Sequence, residues 1–310
     1  MKTKNILILG INGLIGAYLA QACLDKGYTV IGVCRQSSEL KLLHKLNIFE
    51  RCSLIKIKHL TDLEQYINTH DRKYDFVVNC ITARNANKHD LKHVNADFPL
   101  KVAQLINHRN LKCFIHFGSS QEYGHATSPI CEDAVENPTT PHGSSKLLGN
   151  NTLKQYAKKN NIPLVILRPF YVFGAFEKSS RIIPQTIEKL KADQPISIIS
   201  KEFKRDFIYI KDVTSAVMNI LKSPPKSVEV FNIGSGTSIT IQSIVETLAK
   251  EIKVSARYCD KNYTPREWDM QTFHASMEKM LSYYNWHPTF SLKAAVSDYL
   301  VQLKESDNCA

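Results

Sequence analysis

Short, nearly unbroken apolar runs recur along the first half of the chain, separated by longer stretches with helical spacing. They are ILILG (6–10), TVIGVC (29–34), LIKI (54–57), FVVNC (76–80), CFIHFG (113–118) and PLVILRP (163–169). A strand that is apolar at every position has to be covered on both faces, which a parallel sheet between two layers of helices provides. The pattern predicts an α/β fold, a doubly wound Rossmann-type parallel sheet. After Pro169 the alternation weakens, although DFIYIKDVTSAVMNIL (206–221) and VFNIGSGTSITIQSIVETLAKEI (230–252) keep strand-then-helix order. A dinucleotide-binding domain is expected over 1–170 and a smaller C-terminal α/β substrate lobe over 171–310, with an approximate boundary across which segments can interleave.

Composition narrows the choice of ligand. The 310 residues are 43% hydrophobic, enough for one large core or two smaller ones. The formal charge is +11, but the lysines are scattered through amphipathic segments and no dense basic run carries interleaved aromatics. A small anionic ligand is expected, and no nucleic acid partner. The eight cysteines lie far apart with no CxxC or Cys/His ligand spacing, which reads as reduced thiols in a cytoplasmic protein without a metal site. The opening MKTKNILILGINGLIGAYLA has the outline of a signal peptide, yet three glycines and an asparagine interrupt it and no small-residue cleavage site follows. A first strand and helix is the preferred reading. No apolar run is long enough to span a bilayer, so no membrane partner is expected.

The first chemical signal is GINGLIG, directly after the first strand and opening a helix. Gly10, Gly13 and Gly16 let the backbone turn tightly and approach a pyrophosphate, with Asn12, Leu14 and Ile15 completing the loop and the first helical turn whose amides meet the charge. A glycine trio alone is often only a turn. Strand, glycines, helix and second strand in order make it a dinucleotide site. The second strand ends VIGVCRQSS, with no acid where a free ribose 2′-hydroxyl would be read. Arg35, with Ser37 and Ser38, suits a 2′-phosphate, so NADP is expected and NAD is the alternative. The bland reading of Arg35 is an exposed loop arginine.

Taken together with GSSQEYG (118–124), PHGSSK (141–146), LRPFYVFG (167–174), RDFIYIKDV (205–213) and FNIGSG (231–236), the chain resembles the extended short-chain dehydrogenase/reductase family along nearly its whole length. These are the nucleotide-sugar epimerases, dehydratases and ketoreductases. GVCRQSS and GSSQEYG are most similar to the GDP-mannose dehydratase and GDP-4-keto-6-deoxymannose reductase branches. The resemblance implies a Ser or Thr followed by Tyr-x-x-x-Lys as the catalytic set, placing Ser119 and Lys146 in the first and last roles. Position 142 departs from it, with histidine where the family has tyrosine. An imidazole tip reaches about 2 Å less far than a phenol oxygen. Its reference pKa of about 6.5, pushed down by the Lys146 ammonium, leaves it mostly neutral near pH 7. His142 can be a working acid/base, a ligand contact while another group moves the proton, or the mark of a protein that binds dinucleotide without turnover.

Further roles follow from the same resemblance. Ser120 and Gln121 stand where family dehydratases carry an Asp-Glu pair, which argues against 4,6-dehydration and for 4-keto reduction or epimerisation. Glu122 falls one residue late in that match and has an equally good structural reading. Asn79, Thr82 and Pro169 border the cofactor in relatives, and Asn95 supports the active-site helix. Arg205 and Arg266 match positions that hold a diphosphate in relatives, the alternative being surface pairing with Asp206 or Glu267. The implied protein is an NADP-dependent oxidoreductase or epimerase acting on a nucleotide-linked sugar, with 4-keto reduction foremost. A homodimer is implied through segments 91–110 and 143–161, which match helices that relatives pair between subunits. The rival is a noncatalytic dinucleotide-binding regulatory homologue.

Overall fold

The computed structural model describes residues 3–69, 74–106, 108–197, 203–259 and 270–307. All six apolar runs become strands: β1 (Asn5–Leu9), β2 (Thr29–Arg35), β3 (Ser53–Ile57), β4 (Phe76–Asn79), β5 (Cys113–Phe117) and β6 (Leu164–Pro169). Ile6 and Ile8 point into one apolar core while Leu7 and Leu9 point into the other, which is why the strand is apolar from Ile6 to Leu9. A seventh strand, Val228–Ile233, completes one sheet in the order Val228–Ile233, β6, β5, β4, β1, β2, β3. Every pairing in it is parallel.

The order reverses between β1 and β4. In open sheets of this kind the crevice that takes a ligand lies outside the carboxyl ends of the strands at such a reversal. One face of the sheet is covered by α1 (Leu14–Asp25) and the helix Ile210–Lys222. The other is covered by helices Leu60–Thr69, Phe98–Leu105 and Pro141–Lys159, whose Leu63, Val102 and Leu153 are buried against it.

Val228–Ile233 falls in the C-terminal half of the chain, yet it runs alongside β6 from Val228↔Leu164 to Ile233↔Pro169. The path therefore leaves the sheet after Pro169, builds part of the smaller lobe and returns. In that lobe β7 (Tyr171–Phe173) pairs with Phe207–Tyr209, and Lys204–Arg205 pairs with Ile239–Thr240 and Thr272–Phe273. Ile183, Ile187, Val245 and Leu248 from its helices join the same core as Ile6, Ile8 and Ile115. A shared core ties the two lobes to one another.

The helix Pro141–Lys159 positions most of the candidate site. Thr140 caps it, accepting the Gly143 amide at 3.0 Å on its hydroxyl, and Pro141 opens the first turn where its missing N–H is no loss. Lys158 and Lys159 end it, favourably placed against the helix dipole. It crosses a π-helical turn, His93–Asp97, at Gly149. A β-carbon there would lie 2.1 Å from the Asn95 carbonyl oxygen, so only glycine permits the crossing.

Candidate active site

The glycine loop is built for close approach. Gly10 has φ of +81°, donates its amide to Val33 O at 2.8 Å, and turns the chain out of β1. A β-carbon on Gly16 would sit 2.3 Å from the Gly10 carbonyl oxygen. Gly13 caps α1 without a side chain, so the first-turn amides of Leu14, Ile15 and Gly16 keep no helical partner. Asn12 and Gly13 lie at the surface of this loop. A dinucleotide pyrophosphate fits such a cradle: negative charge, no room for side chains, and free N–H groups. Arg35 ends β2 exposed, two residues after the Val33 carbonyl that receives Gly10.

His142 and Lys146 lie one turn apart on the helix Pro141–Lys159 and tie it to the loop after β4. His142 Nδ1 lies 2.8 Å from Ala83 O, and Lys146 Nζ donates to Phe117 O at 2.8 Å and to Ile81 O at 3.4 Å. Both side chains are buried, at 7% and 1% exposure. Burial lowers the His142 pKa to about 4, with Arg84 and then Lys146 adding to the fall. The expected neutrality is present, but desolvation is its main cause and Lys146 a minor one. Burial also lowers Lys146 to about 8, against the pull of Glu122.

The tautomer follows from these contacts. A carbonyl oxygen only accepts, so the single proton of the neutral ring is on Nδ1 and Nε2 carries a lone pair. Nε2 has no hydrogen-bond partner among the described residues and, unlike His116 Nε2, is not sealed from solvent. At neutral pH the ring offers a base to the crevice.

Asn95 holds the Ala83 peptide on both sides, its Oδ1 accepting from Ala83 N and its Nδ2 donating to Ala83 O, each at 2.9 Å. The same Nδ2 reaches Ser145 Oγ at 2.9 Å, and Ser145 donates to His142 O at 2.8 Å. The π turn that carries Asn95 thus fixes the residue His142 binds. π turns inside helices recur where such a side chain must be re-aimed. Asn79 is fully buried, accepting Ile81 N at 3.1 Å and lying 3.0 Å from His116 Nδ1. Its amide shapes the loop from beneath, while Thr82 is exposed and Pro169 half-buried at the end of β6.

Ser119 stands two residues beyond β5 and opens a single turn, Ser120–Glu122. Its hydroxyl accepts from Gln121 N at 3.2 Å, and its amide donates to Glu122 Oε1 at 2.6 Å. Ser120 is buried. Gln121 accepts from Thr140 Oγ1 at 3.0 Å and so braces the helix start. Glu122 is fully buried and pairs with Arg168 Nε at 2.8 Å. Arg168, also fully buried, reaches Glu136 with its other end and stacks over the Tyr123 ring. Burial raises the Glu122 pKa while Arg168 pulls it down. Of the two readings of Glu122, this is the structural one: it clamps Ser119 in place and neutralises Arg168.

Arg205 is half-buried and donates from one Nη to Lys204 O at 2.9 Å and Met270 O at 2.6 Å, which fixes its guanidinium on the smaller lobe. Arg266 lies outside the described residues. Two arginines that motif matching passed over also belong here. Arg84 follows Ala83 directly and depresses the pKa of both His142 and Lys146. Arg181 heads the helix Ile182–Lys191 and lowers the pKa of Arg84. The one sequence signal was an arginine two residues beyond Thr82, in a loop already expected at the crevice.

A parallel doubly wound sheet with a glycine loop after its first strand, at the switch point, makes this a Rossmann-type fold. Residues 6–234 match the model of the NAD dependent epimerase/dehydratase family, and the chain belongs to that family. Similar proteins include CDP-abequose synthase from Salmonella muenchen, 25% identical over 96% of this chain and 97% of its own length. The dTDP-4-dehydro-6-deoxyglucose reductase of Escherichia coli is 25% identical over 98% of both chains. Among solved structures, UDP-glucuronic acid 4-epimerase from Bacillus cereus in complex with UDP-glucuronic acid and NAD superposes with a TM-score of 0.85 at 26% identity, covering 97% of this chain and 99% of that one. Homologues are thus enzymes of nucleotide-sugar chemistry, and structural neighbours bind NAD. No helix among the described residues is long and apolar enough to cross a membrane.

Proposed function

We propose that the protein is a nicotinamide-dependent oxidoreductase of nucleotide-linked sugars whose reaction begins by oxidising a ring hydroxyl, so that 4-epimerisation fits the site better than one-way reduction of a 4-keto sugar. The observation that carries this is the tautomer of His142. A buried ring with a pKa of about 4 and its proton committed to Ala83 can take a hydroxyl proton at Nε2, but holds none for an incoming ketone. Once it has accepted one, the imidazolium is a strong acid and returns it readily in the second half of an epimerisation.

The residues present would hold the cofactor as follows. Gly10, Gly13 and Gly16 with the amides of Leu14 and Ile15 take the pyrophosphate, and Arg35 favours a 2′-phosphate, hence NADP over NAD. When bound, the nicotinamide supplies hydride acceptance and return. Ser119 donates its hydroxyl hydrogen bond to the substrate oxygen, and Lys146 keeps an ammonium where it steadies developing negative charge. Arg205 and Arg266 are assigned to the substrate diphosphate. The protein is expected to work in the cytoplasm as a homodimer. In support of the dimer, Leu148 is 45% exposed on the helix Pro141–Lys159, which belongs to the expected pairing surface.

The experiment incubates the protein with UDP-, dTDP-, CDP- and GDP-hexoses in the presence of NADP or NAD, and with their 4-keto derivatives in the presence of NADPH or NADH, and follows both 4-epimer formation by chromatography and reduced-cofactor consumption at the nicotinamide absorbance. Epimer without net NADPH use is the expected result. Stoichiometric NADPH oxidation by a 4-keto sugar alone would restore the reductase reading. Cofactor binding with no turnover of any compound would favour the regulatory one.

A further inference from the structure

The helix that opens at the glycine loop is tied to the far end of the chain. Tyr18 lies buried one turn beyond Leu14 on α1, and its hydroxyl donates to Gln302 Oε1 at 2.6 Å, with Ala175 O at 3.3 Å beside it. Gln302 belongs to the C-terminal helix Leu292–Asp307. Its Nε2 donates to Asp298 Oδ2 at 2.7 Å, four residues back on the same helix face, and to the Tyr209 hydroxyl oxygen at 2.9 Å. Asp298 also accepts from the Tyr209 hydroxyl on Oδ2 and from Lys211 Nζ at 2.8 Å on Oδ1. The directions are forced: a carboxylate only accepts, so Nε2 must face Asp298 and the amide oxygen must face Tyr18. Burial pushes both phenols up, which keeps them as donors.

The other end of this chain of bonds is a firmly held strand. Tyr209 ends Phe207–Tyr209, which pairs with β7. Just before it, the buried Asp206 carboxylate takes the amides of Ser235 at 2.6 Å, Ala275 at 3.1 Å and Gly236 at 3.2 Å, and the Ser235 hydroxyl at 2.7 Å. Arg205 precedes Asp206, about 13 Å of extended chain from Tyr209. Cohesion does not need the Gln302 bonds. Ala295, Val296 and Tyr299 already dock the C-terminal helix on the core to which α1 contributes Ala17, Leu19 and Ala20. A buried polar network adds less adhesion than apolar contacts of equal volume, but it can fix one geometry.

Resting on the dinucleotide site proposed above, we infer that Gln302 and Asp298 are positioning residues for the cofactor. Through Tyr18 they hold the first turn of α1, and with it the Leu14 and Ile15 amides assigned to the pyrophosphate, in register with the strand that bears Arg205. Tyr18 is only about 5–6 Å along the helix axis from those two residues, so a shift of α1 at Tyr18 moves them with it. The adenosine end of the cofactor, assigned to Arg35 on β2, lies outside this link.

The test is calorimetry on the full chain with NADP, NAD and ADP-ribose, which carry the pyrophosphate, and with adenosine 2′-phosphate, which lacks it. Gln302→Leu fills similar space without the amide. It should weaken the first three ligands by about tenfold, the worth of one or two hydrogen bonds, and leave adenosine 2′-phosphate within about twofold. Tyr18→Phe removes only the hydroxyl and should give the same pattern, with no further loss when combined with Gln302→Leu. Gln302→Glu sets two carboxylates face to face and should weaken the dinucleotides at least as much. Adding Asp298→Asn restores a donor between the two side chains and should bring affinity back to within about twofold of wild type, a rescue that lost packing alone would not give. Circular dichroism checks the fold of each variant. Unchanged dinucleotide affinity in Gln302→Leu and Tyr18→Phe overturns the inference but not the dinucleotide reading. Equal weakening of all four ligands, or no rescue by Asp298→Asn, overturns it too, because the network then serves the fold at large. Wild-type protein that binds none of the four rejects the dinucleotide site and this inference with it.

Discussion

His142 donates its Nδ1 proton to the carbonyl oxygen of Ala83 across 2.8 Å, and this one bond determines which way a proton can move in the crevice. It commits the ring's only proton and turns the lone pair of Nε2 into the available group. A tyrosine at this place would bring a donor.

The pH dependence follows. As a base His142 must be neutral, the form present above its lowered pKa of about 4 and lost as pH falls through it. Lys146 acts as an ammonium, the form lost as pH rises through about 8. The rate constant kcat/KM for sugar oxidation is expected to be level between about pH 5 and 7, falling on either side. An acid limb near the ordinary imidazole value of about 6.5 would mean that the ring is solvated, contrary to its burial.

Replacement of His142 separates packing from proton transfer. His142→Phe fills similar space without a titrating group and should lower kcat by about 10²–10⁴-fold, the usual worth of general acid/base catalysis. His142→Tyr should supply a proton donor and raise reduction of 4-keto nucleotide sugars. If the Phe variant turns over as fast as wild type, the proton goes to another group, with Ser119 the first to examine.

Arg35, exposed at the end of β2, is proposed to set the cofactor choice. NADP(H) should bind tighter than NAD(H), and Arg35→Ala should narrow the preference by about tenfold, as expected for loss of a charge-assisted contact. Titration by nicotinamide fluorescence measures it. Equal affinities in wild type would remove the assignment.

Glu122 tests the buried framework under Ser119. Glu122→Ala leaves Arg168 with Glu136 as its remaining carboxylate inside the protein and frees the Ser119 turn. The expected loss is about 3–5 kcal/mol in urea unfolding, the usual effect of breaking a buried pair on one side. A loss below about 1 kcal/mol would show that Glu136 alone can balance Arg168.

Arg205→Ala is expected to weaken nucleotide-sugar binding by about tenfold and leave dinucleotide binding unchanged, because the proposed assignment puts the two ligands on different lobes. Calorimetry in which the variant loses the dinucleotide instead would reverse the assignment.

What the sequence determined by itself was local in its physics. Nearly unbroken apolar runs belong inside a covered parallel sheet, and a glycine trio between strand and helix belongs to a tight turn, so β1 to β6 and the loop at Gly10, Gly13 and Gly16 are legible from spacing alone. Asn95 and Lys146 were legible through the motif they complete. The tertiary structure decided what depends on neighbours distant in the chain. His142 owes its tautomer to a carbonyl 59 residues away. Glu122 owes its structural role to Arg168, 46 residues on, because a buried guanidinium needs a carboxylate and the fold brings this one. Val228–Ile233 reads as part of a separate lobe until its pairing with β6 places it in the sheet. Arg84 and Arg181 stand in no shared motif, and the charge of Arg181 acts on Arg84 only in the folded chain. Burial and desolvation act across such distances without leaving a period or a spacing in the sequence to read.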